Sequence, residues 1–343
     1  MNTIENDENS LQPEMPSAPI SASPEPEVKL HPVALAAQEI RSEMNKVLIG
    51  QEELISNLLT GLFAGGHMLV EGVPGIAKTL TARLLARCLS LDYSRIQFTP
   101  DLMPTDVTGT SIFNMKTGEF EFNRGPIFGN IILIDEINRA PAKTQSALFE
   151  VMEEQQVTVD GNTYPLQSPF VVLATQNPIE QEGTYRLPEA QLDRFLFRII
   201  IGYPELHEEL KILQRFRDDF SNRLIHEVKP VKTATEIQQL RVLVEQVHIK
   251  DELLEYIAKI VHQTRNDADL YLGASPRASL AILRASKAHA AIAGRDFVTP
   301  DDIRQVTGPV LNHRIQLTPE REMEGVRTVD IIKRITESLE VPR

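Results

Sequence analysis

The sequence predicts an α/β fold, in which a parallel sheet is covered by helices on both faces and is followed by a smaller, helical domain. Short apolar runs alternate with segments of helical periodicity, which is typical of a parallel sheet buried on both sides. After Pro204 the strand-like runs stop and helical patterns continue alone. The chain has 343 residues, more than one hydrophobic core usually organises, so two domains are expected.

Five apolar runs are the predicted strands of the sheet. They lie at residues 68–70, 95–98, 131–134, 170–174 and 197–201. Two helices are expected before the first strand, from residue 32 to 44 and from about residue 51 onward. In the second domain, Thr299 and Pro300 are expected to begin a helix, because they supply a capping hydroxyl and a first-turn proline. We therefore expect an α/β domain over residues 31–203 and a helical domain over residues 204–343.

The first 30 residues are expected to form a disordered acidic arm. Residues 1–28 contain six acidic side chains, five prolines and no Lys or Arg, a composition that cannot bury enough apolar surface to fold alone. The chain as a whole carries a net charge of −13. Because non-specific binding to duplex DNA depends on Lys and Arg, this charge argues against nucleic acid as the main partner.

Other features of the composition narrow the class of protein. No apolar run approaches the roughly 20 residues that cross a bilayer, and the N-terminus lacks a secretory signal, so a cytoplasmic protein is expected. The single cysteine, Cys88, excludes an intramolecular disulfide and is expected to pack in the core. The histidines are scattered, so a metal held by protein side chains alone is not expected.

A glycine-containing loop joins the first predicted strand to a helix at residues 71–79. Glycines at such a turn allow backbone N–H groups to converge on an anion at the helix N-terminus. Lys78 would then reach the β- and γ-phosphates of a nucleotide, and the Thr79 hydroxyl would bind Mg²⁺. Ala77 stands where the strict phosphate-loop pattern has its last glycine. A plain strand-to-helix turn with an exposed lysine is the alternative.

Polar residues follow two further predicted strands. Asp135 and Glu136 end the run at 131–134, at the sheet edge where ligands bind in such folds. There Asp135 would hold Mg²⁺ through a water, and Glu136 would polarise the water that attacks the γ-phosphate. The alternative is a pair of acids that cap the next helix. Asn177 follows the run at 170–174 and could bind the γ-phosphate or the attacking water, or serve as a turn residue before proline.

Four segments together resemble the MoxR family of AAA+ ATPases, and the resemblance extends from about residue 32 to the C-terminus. They are residues 72–79, 134–141, 174–178 and 187–195. The resemblance implies an AAA+ αβα nucleotide-binding core with a helical lid, and ATP and Mg²⁺ as cofactors. An alanine before the lysine is the form that this family uses. The implied nucleotide-binding residues are Gly72, Val73, Pro74, Gly75, Ile76, Ala77, Lys78, Thr79 and Leu80.

The resemblance also implies roles for single residues. Lys78 and Thr79 belong to the Walker A loop, Asp135 and Glu136 to the Walker B segment, and Asn177 to the sensor 1 position. Thr79 and Asp135 are the expected metal ligands, and Lys78, Glu136 and Asn177 are expected to take part in catalysis.

Two arginines complete the expected catalytic set. Arg194 matches the arginine finger, which in AAA+ rings reaches the nucleotide of the neighbouring subunit; a salt bridge to Asp193 or another acid is the alternative. Arg277 matches the sensor 2 motif in the first turn of a predicted helix, where a cation opposes the helix dipole. ATP phosphate or a nearby acid would offset that cost. Arg186 replaces a usual proline and leaves open which arginine is the main finger.

The family further implies a ring, expected to be a hexamer, that remodels protein clients as a chaperone, often in cofactor or metal insertion and with a von Willebrand factor A domain partner. Residues 107–122 and 157–164 resemble the helix-2 insert and the pre-sensor hairpin, although surface hairpins without a function would look the same. Two other hypotheses remain. One is an AAA+ motor that acts on nucleic acid, and the other is a nucleotide-gated scaffold with negligible turnover.

Overall fold

A computed structural model describes residues 31–73, 78–177, 185, 187–217 and 224–342. The predicted acidic arm therefore lies outside the described residues. The helices are α1 (Pro32–Asn45), α2 (Glu52–Ala64), α3 (Lys78–Cys88), α4 (Pro104–Thr108), α5 (Ala142–Glu154), α6 (Glu189–Leu192), α7 (Leu206–Phe216), α8 (Leu224–Glu227), α9 (Ala234–Glu245), α10 (Asp251–Asn266), α11 (Pro276–Ile292), α12 (Pro300–Leu311), α13 (Pro319–Met323) and α14 (Thr328–Ser338). The strands are β1 (His67–Gly72), β2 (Tyr93–Gln97), β3 (Gly109–Asn114), β4 (Glu119–Arg124), β5 (Ile131–Asp135), β6 (Gln156–Val159), β7 (Asn162–Pro165), β8 (Val171–Gln176), β9 (Phe195–Ile201), β10 (Leu270–Leu272) and β11 (Gln316–Leu317).

The central sheet has five strands in the order β2-β5-β8-β1-β9, and every neighbouring pair is parallel. These strands correspond to the five predicted runs, so the predicted parallel sheet is confirmed. Their side chains alternate between two hydrophobic clusters: Ile131 and Leu133 pack on one side, and Ile132 and Ile134 on the other. This alternation follows from the two-residue period of a strand. Both faces of the sheet are therefore buried.

Helices of the second half of the chain cover one of these faces together with α1 and α2. The cluster on that side joins Ile40 of α1 and Leu58 of α2 with Ile282 of α11 and Ile303 of α12. Thr299 caps α12 as predicted, since its Oγ1 accepts a hydrogen bond from the Asp302 N–H. Cys88 is buried in the same cluster. The lid also contains the antiparallel strands β10 and β11, which the sequence analysis did not predict. No described helix combines the length and the apolar character needed to span a bilayer.

Arg314 joins the end of α12 to the sheet. Its Nε donates to Asp193 Oδ1 at 2.6 Å, and its terminal nitrogens donate to the backbone carbonyls of Asp193, Phe195, Leu196 and Val310. Only 3% of this side chain is exposed. The guanidinium therefore fixes the lid to the start of β9 through main-chain contacts.

Helix α7 follows the sheet, and none of its residues from 206 to 215 is buried. It carries Leu206, Leu210 and Leu213 at the i, i+4 and i+7 spacing of one helical face. All three are exposed, at 85%, 54% and 65% respectively. An apolar stripe of this kind on a surface is typical of a protein-binding face.

The buried imidazole of His67 is expected to make the stability of the fold depend on pH. Burial lowers the pKa of its imidazole from 6.5 to about 4, and the ring is held between the Met152 carbonyl and the Val172 N–H. Below pH 6.5 the unfolded chain takes up a proton that the folded chain does not bind, so stability falls as pH decreases towards 4. We expect His67 alone to contribute a loss of about 2 kcal/mol between pH 7 and pH 5, measured by urea unfolding. Burial also lowers the pKa of His313, so its contribution to the pH dependence of stability has the same sign.

The matched variant for this prediction is His67→Gln, which cannot titrate in this range. Its unfolding free energy should depend less steeply on pH between 7 and 5 than that of the unmodified protein. Equal slopes for the two proteins would contradict the assignment to His67.

Candidate functional site

The carboxyl edge of the sheet brings together the residues that were expected to bind phosphate. In the strand register Gln97 lies beside Asp135, and Glu71 beside Gln176. Lys78 opens α3, and its Nζ donates a hydrogen bond to the Gly72 carbonyl at 2.7 Å. Asn177 follows β8 at the same edge and is buried. Pro74, Gly75, Ile76, Ala77 and Arg186 lie outside the described residues.

The electrostatic environment of Lys78 confirms this proximity. Burial lowers the pKa of its ammonium group, while the negative charges of Asp135, Glu136 and Glu71 oppose the shift. A partly buried cation under the electrostatic influence of three carboxylates is a candidate functional group.

Asp135 is a buried carboxylate with two defined contacts. Arg95 Nε lies 2.6 Å from its Oδ2, and Thr175 Oγ1 donates to its Oδ1 at 3.3 Å. With the Thr79 hydroxyl in the first turn of α3, these oxygens are the hard donors that Mg²⁺ prefers. In the described part of the chain, no group of three His, Cys, Asp or Glu side chains forms a metal cage. The donor set instead fits a Mg²⁺ ion that is bound by one carboxylate together with substrate phosphates.

Glu136 has an unusual backbone conformation, with φ of 57° in the left-handed region. Such a conformation is strained for a residue other than glycine and is often found at functional sites. Its N–H donates to Thr175 Oγ1 at 3.0 Å, and its Oε2 accepts a hydrogen bond from Gln97 Nε2 at 2.8 Å and pairs with Arg139 Nε at 3.2 Å. The carboxylate is therefore held at the edge of the sheet.

The two predicted catalytic arginines lie at the opposite edge of the sheet. Arg194 precedes Phe195, which pairs with His67, the first residue of β1. A six-residue strand separates that position from Gly72 by roughly 17 Å. Arg277 lies beside Arg194, at the start of α11. Within one chain, neither arginine faces Lys78.

Glu153, near the end of α5, binds both arginines. Its Oε2 is 3.1 Å from Nη1 of Arg194, and its Oε1 is 2.6 Å from Nη2 of Arg277. Within the single chain, Arg194 therefore forms a salt bridge to an acid other than Asp193, which is one of the alternatives given by the sequence. Asp193 pairs with Arg314 instead. Ser275 is the N-cap residue of α11, but its hydroxyl donates to Asp193 Oδ2 and accepts no hydrogen bond from the helix.

A recess adjoins the end of β1 and was not identified from the sequence. Residues around the start of α2, at the end of β9 and around the start of α7 line it. In the register Gly72 pairs with Ile201, so the recess lies next to the end of β1. Its lining includes Gln51, Leu54, Ile201, Tyr203 and Pro204.

Comparison with known proteins identifies the family. Residues 67–197 match the family model of the ATPase family associated with various cellular activities (AAA), and residues 262–335 match the AAA lid domain. Chaperone MoxR1 of Mycobacterium tuberculosis is 42% identical over 310 residues, covering 88% of this chain and 81% of that protein. The chain belongs to the MoxR family of AAA+ ATPases.

Two further relatives support the MoxR assignment. Protein MoxR of Methylorubrum extorquens is 30% identical, over 90% of this chain and 95% of that protein. A crystal structure of a candidate ATPase from Cytophaga hutchinsonii superposes with a TM-score of 0.84 and 44% identity, over 91% of this chain and 96% of the other. The chain is therefore an ATP-binding, ATP-hydrolysing AAA+ protein with a parallel-sheet core and a lid, and one of its relatives is named a chaperone.

Proposed function

We propose that this chain is the subunit of a ring, a hexamer, in which Mg²⁺-dependent ATP hydrolysis remodels or matures protein complexes. One observation supports this proposal above the others. The residues suited to bind phosphate and activate water lie at one edge of the sheet, while Arg194 and Arg277 lie at the other. Each nucleotide site would then be completed by a neighbouring subunit. In this proposal the core comprises residues 31–203, the lid residues 204–343 and the arm residues 1–30.

Each residue has a distinct task in this proposal. Lys78 binds the β- and γ-phosphates, Glu136 accepts the proton of the attacking water, and Asn177 positions that water or the γ-phosphate. Thr79 and Asp135 would hold Mg²⁺ together with the phosphate oxygens, and the ion would supply positive charge to offset the charge of the phosphates. The adenine base occupies the recess beside Gly72.

Two exposed apolar surfaces fit assembly and a protein client. The leucines of α7 lie next to the carboxyl edge, where the neighbouring subunit would bind. The β3–β4 hairpin exposes Phe113, Met115 and Phe120, with relative exposures of 50%, 91% and 73%. Aromatic and methionine side chains are enriched at protein interfaces. These surfaces favour a polypeptide client over nucleic acid, and a partner with a von Willebrand factor A domain is included in the proposal.

Mixing of two defective subunits tests the shared site. Lys78→Ala removes the lysine that is proposed to bind phosphate but keeps Arg194 and Arg277. Arg194→Ala removes one of these arginines but keeps Lys78. We expect Arg194→Ala alone to lose about 10³-fold in turnover, because an arginine supplied in trans stabilises the transferred phosphoryl group. A mixture should recover part of the activity that each variant lacks, measured as phosphate release. No recovery in mixtures that still form rings would refute the shared site.

A pull-down tests the client. Glu136→Gln in ATP is compared with Lys78→Ala, and retained proteins are identified by mass spectrometry. A protein retained only by Glu136→Gln in ATP is the expected result. ATP-dependent retention of nucleic acid alone would favour the motor hypothesis, and identical partners for both variants would favour the scaffold.

A further inference from the structure

We propose that Glu153 is a positioning residue that holds Arg194 and Arg277 as one paired group directed at the nucleotide of the neighbouring subunit. This inference rests on the proposed function, because it assumes that the arginines act between subunits. Glu153 itself would not touch the nucleotide.

The geometry of the carboxylate supports this role. Each oxygen of Glu153 accepts from a different arginine, at 3.1 Å from Arg194 Nη1 and at 2.6 Å from Arg277 Nη2. Two guanidinium groups held this close would repel each other without an intervening negative charge. The bridged group keeps a net charge of +1, which still favours an anionic phosphate.

The contacts that anchor Arg194 go through a single nitrogen of its guanidinium. Its anchoring contacts, to Glu153 and to the Phe149 carbonyl at 3.0 Å, both go through Nη1. Its Nε is buried and has no hydrogen-bond partner in the described parts of the chain. The bridge therefore fixes the guanidinium through Nη1 and leaves its buried Nε unpaired within the described parts of the chain.

Glu153 lies on a well-packed helix, α5. Helix α5 is anchored by the buried side chains of Leu148, Phe149 and Met152. Gln145, in its first turns, donates to the Ile137 carbonyl next to Glu136. Glu153 thus projects from a packed helix, not from a loop, which is the condition for holding a reacting group in a fixed place.

The lid is held at the same place by a second contact. Ser275, which precedes α11, donates to Asp193 Oδ2 at 3.1 Å, and Asp193 directly precedes Arg194. Arg277 lies in the first turn of α11, where the helix dipole disfavours a cation. Glu153 offsets that cost, so the pairing determines where Arg277 lies relative to Arg194.

The experiment uses mixed rings in which Glu153→Gln is placed in only one type of subunit. Donor subunits carry Lys78→Ala and supply the arginines, and acceptor subunits carry Arg194→Ala and supply the nucleotide site. We expect Glu153→Gln in the donors to reduce the recovered phosphate release by about tenfold, because a small misplacement of a catalytic group is costly. The same change in the acceptors should leave the recovered rate unchanged.

The matched control is Glu154→Gln, a neighbouring exposed glutamate on the same helix, which should have no effect in either subunit. In uniform rings, Glu153→Gln should lower kcat with little change in the KM for ATP. Equal losses from Glu153→Gln in donors and acceptors would indicate a purely structural role and overturn the inference, as would no loss in donors. If the plain donors and acceptors recover nothing, the proposed function fails and this inference fails with it.

Discussion

Replacing Glu136 with glutamine is expected to reduce ATP turnover by roughly 10²- to 10⁴-fold while leaving ATP binding in place, because the amide cannot accept the proton of the attacking water. Glutamine keeps the shape of the side chain and can still contact Gln97 and Arg139, which hold Glu136 in the folded chain. The strained backbone at this position is also kept. The loss should therefore be confined to the chemical step.

Phosphate release and equilibrium nucleotide binding, measured on the same protein, test this expectation. The matched control is Glu150→Gln, an exposed glutamate of α5 away from the carboxyl edge. It should hydrolyse ATP at the unmodified rate. A Glu136→Gln protein with turnover within tenfold of that control would exclude Glu136 as the general base, and one that no longer binds ATP would contradict a loss confined to the chemical step.

Arg314→Met is expected to cost about 3 kcal/mol of unfolding free energy, because it removes the charged partner of Asp193 and leaves several backbone carbonyls without a donor. Methionine has a similar length and can fill the space, so the loss reflects the missing hydrogen bonds and charge more than a cavity. Urea unfolding followed by circular dichroism measures it. The variant should also hydrolyse ATP more slowly, since Asp193 adjoins Arg194.

A surface arginine serves as the control for this substitution. Arg327 pairs with Asp330, but 76% of its side chain is exposed. Exposed ion pairs contribute little, so Arg327→Met should change the unfolding free energy by less than about 1 kcal/mol. Similar losses for the two variants would contradict the special role of Arg314.

Much of the fold could be predicted because the strands of a doubly covered sheet are continuous apolar runs, and a period of two assigns their faces. The hairpin at residues 157–164 could also be predicted, since its Asp160–Gly161 turn has the positive φ values that this dipeptide favours. The strands β10 and β11 could not. Each has at most three residues, too few for a period to be visible.

Some residues of the candidate site could likewise be predicted from the sequence, and others could not. Lys78, Asp135, Glu136 and Asn177 lie at or just after the ends of strands that share an edge, so their proximity could be predicted from topology alone. Gln97 ends β2 at that edge and could have been found by the same rule. Glu153 could not, because its contacts join α5, the segment before β9 and the lid, and no sequence spacing records a contact among three separate elements. Its role, like those of the other site residues, stays a prediction.

The joint made by Arg314 has a consequence for how this protein can vary. Apart from its ion pair with Asp193, the guanidinium recognises backbone carbonyls, at residues 193, 195, 196 and 310, so it is indifferent to most side chains at the last three positions. An insertion or deletion near the start of β9 would instead move those carbonyls out of register. Engineered variants should thus tolerate exchanges of apolar side chains near the start of β9 far better than the insertion or deletion of a single residue there.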